Sequence, residues 1–202
     1  MSEKVKEIPT KDDKEKVKNI ISWTATILVC LIIAKLFTSF VVRSVEVDGY
    51  SMSTTLSDGD KALTDALFYK MGKINRFDIV IVKRKSGLVA GQEIVKRVIA
   101  LPGETIEYKN GVLYINDEVV EEDFISDEVK SITPRIYKQT LTDNQYFILG
   151  DNRANSIDSS EFGPITKSEI KGRGLLRFMV CVEKDDQNEC SKRKFIWPSS
   201  VK

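Results

Sequence analysis

Ile20 to Val42 is the one strongly apolar stretch of the chain, and the residues after it alternate instead. As a helix this stretch would span roughly 34 Å at about 1.5 Å per residue, enough to cross a bilayer core. Lys35 interrupts it near the far end, where its stem can reach the interface, and Trp23 sits near the other end as an interfacial anchor would. We read residues 20–42 as an uncleaved membrane anchor. A cleaved signal peptide is one alternative, although the apolar core from Ile20 to Ala34 is long for one and no small-x-small site follows cleanly. A buried helix of a soluble protein is the other. Residues 1–19 are polar and charged and read as a disordered or fraying helical tail. Lys4, Lys6, Lys11, Lys14, Lys16 and Lys18 precede the span, whereas the next twenty residues hold only Arg43 and Lys61. The excess of positive charge on the short N-terminal side puts that tail in the cytoplasm and residues 43–202 outside.

Beyond the span the patterning is that of strands. Val45-Glu46-Val47-Asp48 alternates, Phe77 to Val82 is a nearly continuous Val/Ile run, and Gln92 to Leu101 is another, ended by Pro102-Gly103. Thr105–Tyr108 and Val112–Ile115 flank Asn110-Gly111, which predicts a tight hairpin. Asn116-Asp117 marks a second turn, Gln145 to Leu149 a short strand, and Gly174 to Val182 the last clear one. Glu121 to Lys138 is polar and weakly patterned, and we read it as a surface insertion.

Composition then narrows the chemistry. The 31 basic and 30 acidic residues give a net charge of +1, which offers no electrostatic case for nucleic acid. No phosphate-binding Gly-Lys-Ser/Thr loop or Gly-x-Gly-x-x-Gly occurs, and Cys30, Cys181 and Cys190 lack zinc spacing, so no metal or cofactor is expected. Cys181 and Cys190 bracket a polar loop and suit either a disulfide or two free thiols.

The chain has no histidine at all. That removes the Ser-His-Asp triad and the Cys-His pair. Ser51, where an alternating run gives way to a polar turn, is either an ordinary turn residue or a nucleophile served by some other base. Lys96 is the candidate base, because it is embedded in the apolar run Ile94-Val95-Lys96-Arg97-Val98-Ile99-Ala100. On a strand it shares a face with Ile94 and Val98, and Arg97 lies on the other face. Burial would lower its pKa and populate the neutral amine. The alternative is a lysine at a sheet edge with its head in water.

These pieces together resemble the type I signal peptidases of the single-spanning Gram-positive kind. Ser51-Met52 with Thr55-Leu56 is similar to the Ser-Met-x-Pro-Thr-Leu nucleophile motif, and Asp58-Gly59-Asp60 to the Gly-Asp after it. Arg76-Phe77-Asp78-Ile79-Val80 resembles an Arg-Gly-Asp-Ile-Val strand, Lys96 to Gly103 the lysine segment, and Gly150-Asp151-Asn152-Arg153 with Ser156, Asp158 and Ser159 the last box. The resemblance implies a mainly β fold, with a transmembrane helix leading into an extracytoplasmic domain of two linked antiparallel sheet regions. It implies a serine endopeptidase that removes signal peptides from secreted preproteins at the membrane surface through an acyl-enzyme. Ser51 would be the nucleophile and Lys96 the general base. Ser156 would hydrogen-bond and orient the amine, Asp151 would pair with Arg97, and Asp158 would support the site. The substrate would lie extended against Val45–Val47 and Ile94–Lys96, with Val45, Val47, Gly49, Met52 and Ile94 lining its path and small side chains preferred at positions −1 and −3. The backbone N–H of Ser51 would bind the oxyanion, since Gly49 offers no hydroxyl.

Three positions depart from the pattern: Thr54 replaces proline, Phe77 replaces glycine, and Ser160 replaces an arginine that would partner Asp158. Phe77 should no longer favour positive φ. Thr54 raises the reading of a specialised paralogue with narrow substrates. Glu183 to Lys202 has no counterpart in the pattern. Two other classes compete. A self-cleaving Ser/Lys repressor would carry a DNA-binding module where this chain has its apolar span. A membrane-tethered β-domain without chemistry would not need Ser51, Lys96 and Ser156 together.

Overall fold

A computed structural model of the chain describes residues 11–65, 67–132, 136–185 and 190–201. The chain divides into two compact units, residues 1–40 and 41–202. The first unit holds helix α1, Lys11–Phe40. Its segment Lys14–Phe37 is the one helix among the described residues long and apolar enough to cross a membrane. Ile20, Trp23, Leu28, Leu31 and Leu36 are all exposed along it, so no single face is set aside for a protein core. Its threonines are satisfied locally: Thr24 Oγ1 donates to Ile21 O at 2.9 Å and Thr26 Oγ1 to Ser22 O at 2.9 Å. The charged residues from Lys11 onward are already helical, so the helix starts ahead of residue 20 and stops at Phe40, before the expected end at residue 42. Residues 1–10 of the N-terminal tail lie outside the described residues.

The second unit is built from antiparallel strands. The larger sheet contains β1 (Val42–Glu46), β2 (Lys61–Asp65), β3 (Ile79–Lys83) and β4 (Glu93–Ala100). The smaller is made of β5 (Thr105–Lys109), β6 (Val112–Ile115), β7 (Glu118–Val120) and β8 (Gln139–Thr140), in the order β7-β6-β5-β8. The chain then returns to the larger sheet with β9 (Gln145–Leu149), β10 (Ile165–Thr166), β11 (Ile170–Lys184) and β12 (Cys190–Ser200). Its order is β1-β2-β11-β3-β4-β9-β10, with β12 paired to β11. This is the two-sheet, mainly β architecture that the resemblance implies.

The apolar runs explain the layering. In β3, Ile79 and Ile81 enter a cluster with Val47, Met52, Leu56 and Ala62, while Val80 and Val82 enter another with Val98, Tyr146, Ile148 and Ile170. A strand buried on both faces reads as continuous rather than alternating. A third cluster joins the sheets through Ile99, Ala100, Phe147 and Leu149 against Ile106, Tyr108, Leu113 and Ile115. Asn110 and Gly111 take φ of 50° and 78°, as a two-residue hairpin turn requires, and Asn116 and Asp117 repeat the device at 52° and 70°. The long β11 changes partners along its length, pairing β3 through Ile170–Arg173 and β2 through Arg173–Met179. Gly174, at φ 68°, sits at that crossover.

Two sequence readings need correction here. Glu121 to Lys138 is not simply a surface insertion. Glu122, Ile125 and Ile136 are buried, Phe124 packs on the third cluster, and the short helix α2 (Asp127–Ser131) covers only part of the segment. The strand after Gly174 is also not the last. Cys190–Ser200 returns along it as β12, and Cys181 and Cys190 form a disulfide with Cα atoms 5.8 Å apart.

Candidate active site

Ser51 lies in the loop between β1 and β2. Gly49 ahead of it takes φ 95°, open to glycine and not to most residues. After it the chain closes a tight turn, with Ser53 N donating to Tyr50 O at 3.1 Å and Leu56 N to Met52 O at 2.7 Å. The exposed Thr54 sits inside this turn. Met52 and Leu56 are buried beneath it, pinning the loop to the core. From the other side, Asn152 N donates to Ser51 O at 3.0 Å and its side-chain amide to Tyr50 O at 3.1 Å.

Lys96 reaches this loop from β4, opposite Val80 of β3. It is 3 % exposed, and its Nζ lies 2.5 Å from Ser51 Oγ. Desolvation is the larger influence on the amine; the carboxylates of Asp158 and Asp151 oppose it, and the result is a pKa pushed down to about 8. The head of the lysine is therefore not in water.

Arg97, the next residue, points the other way and is fully buried. Its Nε donates to Asp151 Oδ1 at 2.8 Å and its Nη2 to Oδ2 at 2.6 Å, a fork matched to a carboxylate. Thr55 Oγ1 donates to the same carboxylate and accepts from Arg97 Nη2 at 3.3 Å. The guanidinium carbon lies 4.0 Å above the Phe124 ring, and Nη1 donates to Phe77 O at 3.1 Å. Asp158 is buried and caps α3 (Ser159–Phe162). Its Oδ2 accepts from Gly150 N at 2.9 Å, and its Oδ1 from Ser160 N at 3.1 Å and Ser160 Oγ at 2.8 Å.

A cleft of about 520 Å³ runs past Ser51 and Lys96. Its walls include Val45 and Val47 on one side and Ile94 and Val95 on the other, with Met52 at the serine. Arg43 and Glu93 join the two walls through an ion pair of 3.0 Å.

Residues 20–179 match the family described as signal peptidase, peptidase S26. The chain belongs to this family. It is 33% identical over 178 residues to signal peptidase I S of Bacillus subtilis (strain 168), covering 83% of this chain and 93% of the relative. It is 31% identical over 176 residues to signal peptidase IB of Staphylococcus aureus (strain COL), covering 80% and 90% respectively. A crystal structure of a signal peptidase I from Enterococcus faecalis V583 aligns with TM-score 0.44 and 34% identity, covering 50% of this chain and 96% of that one.

In this peptidase, then, Ser51, Lys96, Arg97, Asp151 and Asp158 meet around one loop, and Val45, Val47, Met52 and Ile94 line one cleft. Gly49 is not part of the cleft wall. Ser156 does not make the expected bond to Lys96. Its Oγ is buried against Gly150 without a hydrogen-bond partner among the described residues. A Cβ on Gly150 would collide with that hydroxyl and lie 2.5 Å from Ser51 O, so only glycine lets Ser156 and the serine loop come this close.

The departures also resolve. Asp158 is not short of a partner, since Ser160 supplies both its amide and its hydroxyl. Phe77 keeps positive φ, at 69°, despite its side chain. Its ring packs edge-on to Phe124 at 5.0 Å, Phe77 N donates to Val98 O at 2.7 Å, and its carbonyl accepts from Arg97. These contacts hold a conformation that costs a non-glycine residue about 1–2 kcal/mol. Thr55 and Asn152 are site residues that lay inside the quoted motifs without an assigned role. Glu122 and Tyr108 carried no signal: they surround Arg153, which bonds Glu122 Oε1 at 2.5 Å, Tyr108 OH at 3.1 Å and Gly150 O at 3.0 Å.

Proposed function

We propose that this peptidase cleaves signal peptides from secreted preproteins with Ser51 as nucleophile and Lys96 as general base. The observation that carries the reading is the buried Lys96 amine 2.5 Å from Ser51 Oγ. Neutral Lys96 accepts the Ser51 proton as Oγ attacks the carbonyl after the signal peptide's last residue, and the Ser51 amide faces the developing oxyanion. The tetrahedral intermediate collapses with cleavage of the C–N bond, and the lysine returns the proton to the departing amine. Lys96 then takes a proton from water as the water oxygen attacks the ester, and returns it to Ser51 Oγ as the ester C–O bond breaks and the peptide acid leaves. Asp151 holds Arg97 and Thr55 under the loop, and Asp158 holds Gly150 and Ser160. Ser156, with its hydroxyl unpartnered, is the group available to orient the amine after a rotation about its Cα–Cβ bond.

The substrate lies extended in the cleft between Val45–Val47 and Ile94–Lys96, adding a strand between β1, at the end of the sheet, and the stretch of β4 ahead of its pairing with β9. Helix α1 anchors the enzyme with its lysine-rich tail in the cytoplasm, so residues 43–202 meet emerging preproteins outside. Purified full-length protein should cleave a preprotein carrying small residues at −1 and −3, and Ser51→Ala and Lys96→Arg should not. Arginine keeps the charge but cannot shed its proton, so cleavage by Lys96→Arg at the wild-type rate would end the general-base reading. Protease added to intact protoplasts should digest residues 43–202; protection of that domain would reverse the orientation.

A further inference from the structure

The family match ends at residue 179, yet the hairpin formed by β11 and β12 continues beyond it and grips the loop that carries Ser51. Arg177 Nη1 donates to Thr55 O at 3.4 Å and Asp60 Oδ2 at 3.3 Å. Cys181 N donates to Asp60 Oδ1 at 3.0 Å, and Arg193 Nε to Gly59 O at 3.2 Å. The disulfide sits directly on the loop: a Cβ on Gly59 would lie 2.7 Å from Cys190 Cβ and 3.1 Å from Cys181 Cβ. Lys184, between the two cysteines, places Nζ on Asp58 and 3.0 Å from Tyr50 OH, with the ammonium 4.9 Å from the Tyr50 ring centroid.

These contacts lead to the nucleophile by a short route. Asp58 Oδ2 accepts from Lys184, and Oδ1 accepts from Gly49 N at 2.6 Å, two residues ahead of Ser51. Apart from its chain neighbours, no described residue comes within 4 Å of where a Cβ on Gly49 would sit, so its fixed point is the hydrogen bond from its N–H to Asp58 rather than side-chain packing. Burial works to raise the Asp58 pKa, but the bonds from Lys184 and Gly49 outweigh it and keep the carboxylate ionised below its ordinary range. Tyr50, the intervening residue, is held by the same ammonium. We propose that the disulfide-closed hairpin is a positioning clamp: Lys184, through Asp58 and the Gly49 amide, fixes the backbone that aims Ser51 at Lys96. The proposal rests on the serine–lysine reading above. Neither Lys184 nor Arg193 lines the substrate cleft, so the clamp acts on the chemical step rather than on substrate binding.

The test uses the full-length protein in detergent, as wild type, Lys184→Met, Lys184→Arg, the Cys181→Ser/Cys190→Ser pair, and Ser51→Ala. Two readouts are taken: amide hydrogen exchange over residues 49–53, and steady-state cleavage of a preprotein resolved into kcat and KM. A misaimed nucleophile predicts a fall in kcat of about tenfold or more in Lys184→Met, with KM held within about twofold. Exchange over residues 49–53 should quicken by a similar factor while exchange in β4 stays as in wild type, which a general loss of stability would not produce. Lys184→Arg, which can still donate to Asp58, should recover most of the rate. Adding the cysteine substitutions to Lys184→Met should lower kcat little further, because both act through one device. Unchanged exchange over residues 49–53 overturns the clamp, and faster exchange with kcat intact overturns its positioning role. Persistent cleavage by Ser51→Ala would sink the serine reading instead, and the exchange data would still decide the clamp.

Discussion

The pH dependence of cleavage follows from where Lys96 is buried. With a pKa of about 8 in the folded protein, the neutral amine makes up about one-tenth of the population at pH 7, half at pH 8 and nine-tenths at pH 9. A solvent-exposed lysine near 10.4 would be neutral in only about 0.4 % of molecules at pH 8, so burial enlarges the competent population roughly a hundredfold there. The value of kcat/KM for a quenched peptide spanning a cleavage site should therefore rise about tenfold per pH unit below 7 and level off above about 8.5. Asp158 is the leading influence that raises the amine pKa against desolvation. Asp158→Asn should thus move the midpoint to lower pH, while its side-chain oxygen still accepts from Gly150. A midpoint near 10 in the wild type, or a midpoint unmoved or raised in Asp158→Asn, would refute the account of Lys96 as a desolvated base.

Stability should carry the same signature. Burial lowers the Lys96 pKa from the ordinary lysine value of 10.5 to about 8, so the unfolded chain binds the extra proton between those pH values and stability rises with pH across that window. Lys96→Met should abolish cleavage yet raise stability by about 2 kcal/mol at pH 7, with the gain fading toward pH 10, in urea titrations at the two pH values. Asp151→Ala should lower stability by about 3–5 kcal/mol, because it strands the fully buried Arg97 guanidinium, and the same titrations measure it. At Phe77, both glycine and alanine lose the ring contact with Phe124, but glycine accepts φ 69° freely. Phe77→Gly should therefore be more stable than Phe77→Ala by about 1 kcal/mol in thermal unfolding, and the reverse order would mean the residue is not held at positive φ.

What the sequence discloses about this fold depends on how local the cause is. Gln145–Leu149 is a strand over the residues its apolar run marks, and Asn110-Gly111 turns where two residues of positive φ are needed. Lys96 stands out because an amine inside a Val/Ile run has few explanations. By contrast, β12 carries charges at Lys192, Arg193 and Lys194 and becomes a strand only because β11 offers it an edge. Glu122 looks like one more acid in a polar segment until Arg153, thirty-one residues on, is folded against it. Phe77 breaks the local rule for positive φ because Phe124, Val98 and Arg97 outvote its own preference. Ser156 lay in a quoted motif, but that its hydroxyl lies against Gly150 without a hydrogen-bond partner among the described residues is a matter of side-chain rotation that no pattern encodes.

Lys96 and Arg97 form the same kind of dipeptide that occurs on any protein surface, and their fates here are opposite. Adjacent residues of a strand project to opposite faces, so the two cations enter different surroundings. Arg97 meets a carboxylate that matches its fork, with Thr55 and an aromatic face completing the enclosure, and a guanidinium cannot relieve burial by losing its proton. Lys96 meets a hydroxyl and, among the described residues, no carboxylate in hydrogen-bond contact, so the less costly response to burial is to become neutral. Asp151 and Asp158 are close enough to oppose that loss electrostatically, but each is engaged elsewhere, Asp151 with Arg97 and Asp158 with Gly150 and Ser160. A salt bridge to Lys96 would hold the amine protonated and remove the proposed base. With the arginine pair fixed on one face of β4, the amine on the other has no ion pair among the described residues, and a strand of eight residues supplies both the structural cation and the proposed proton acceptor.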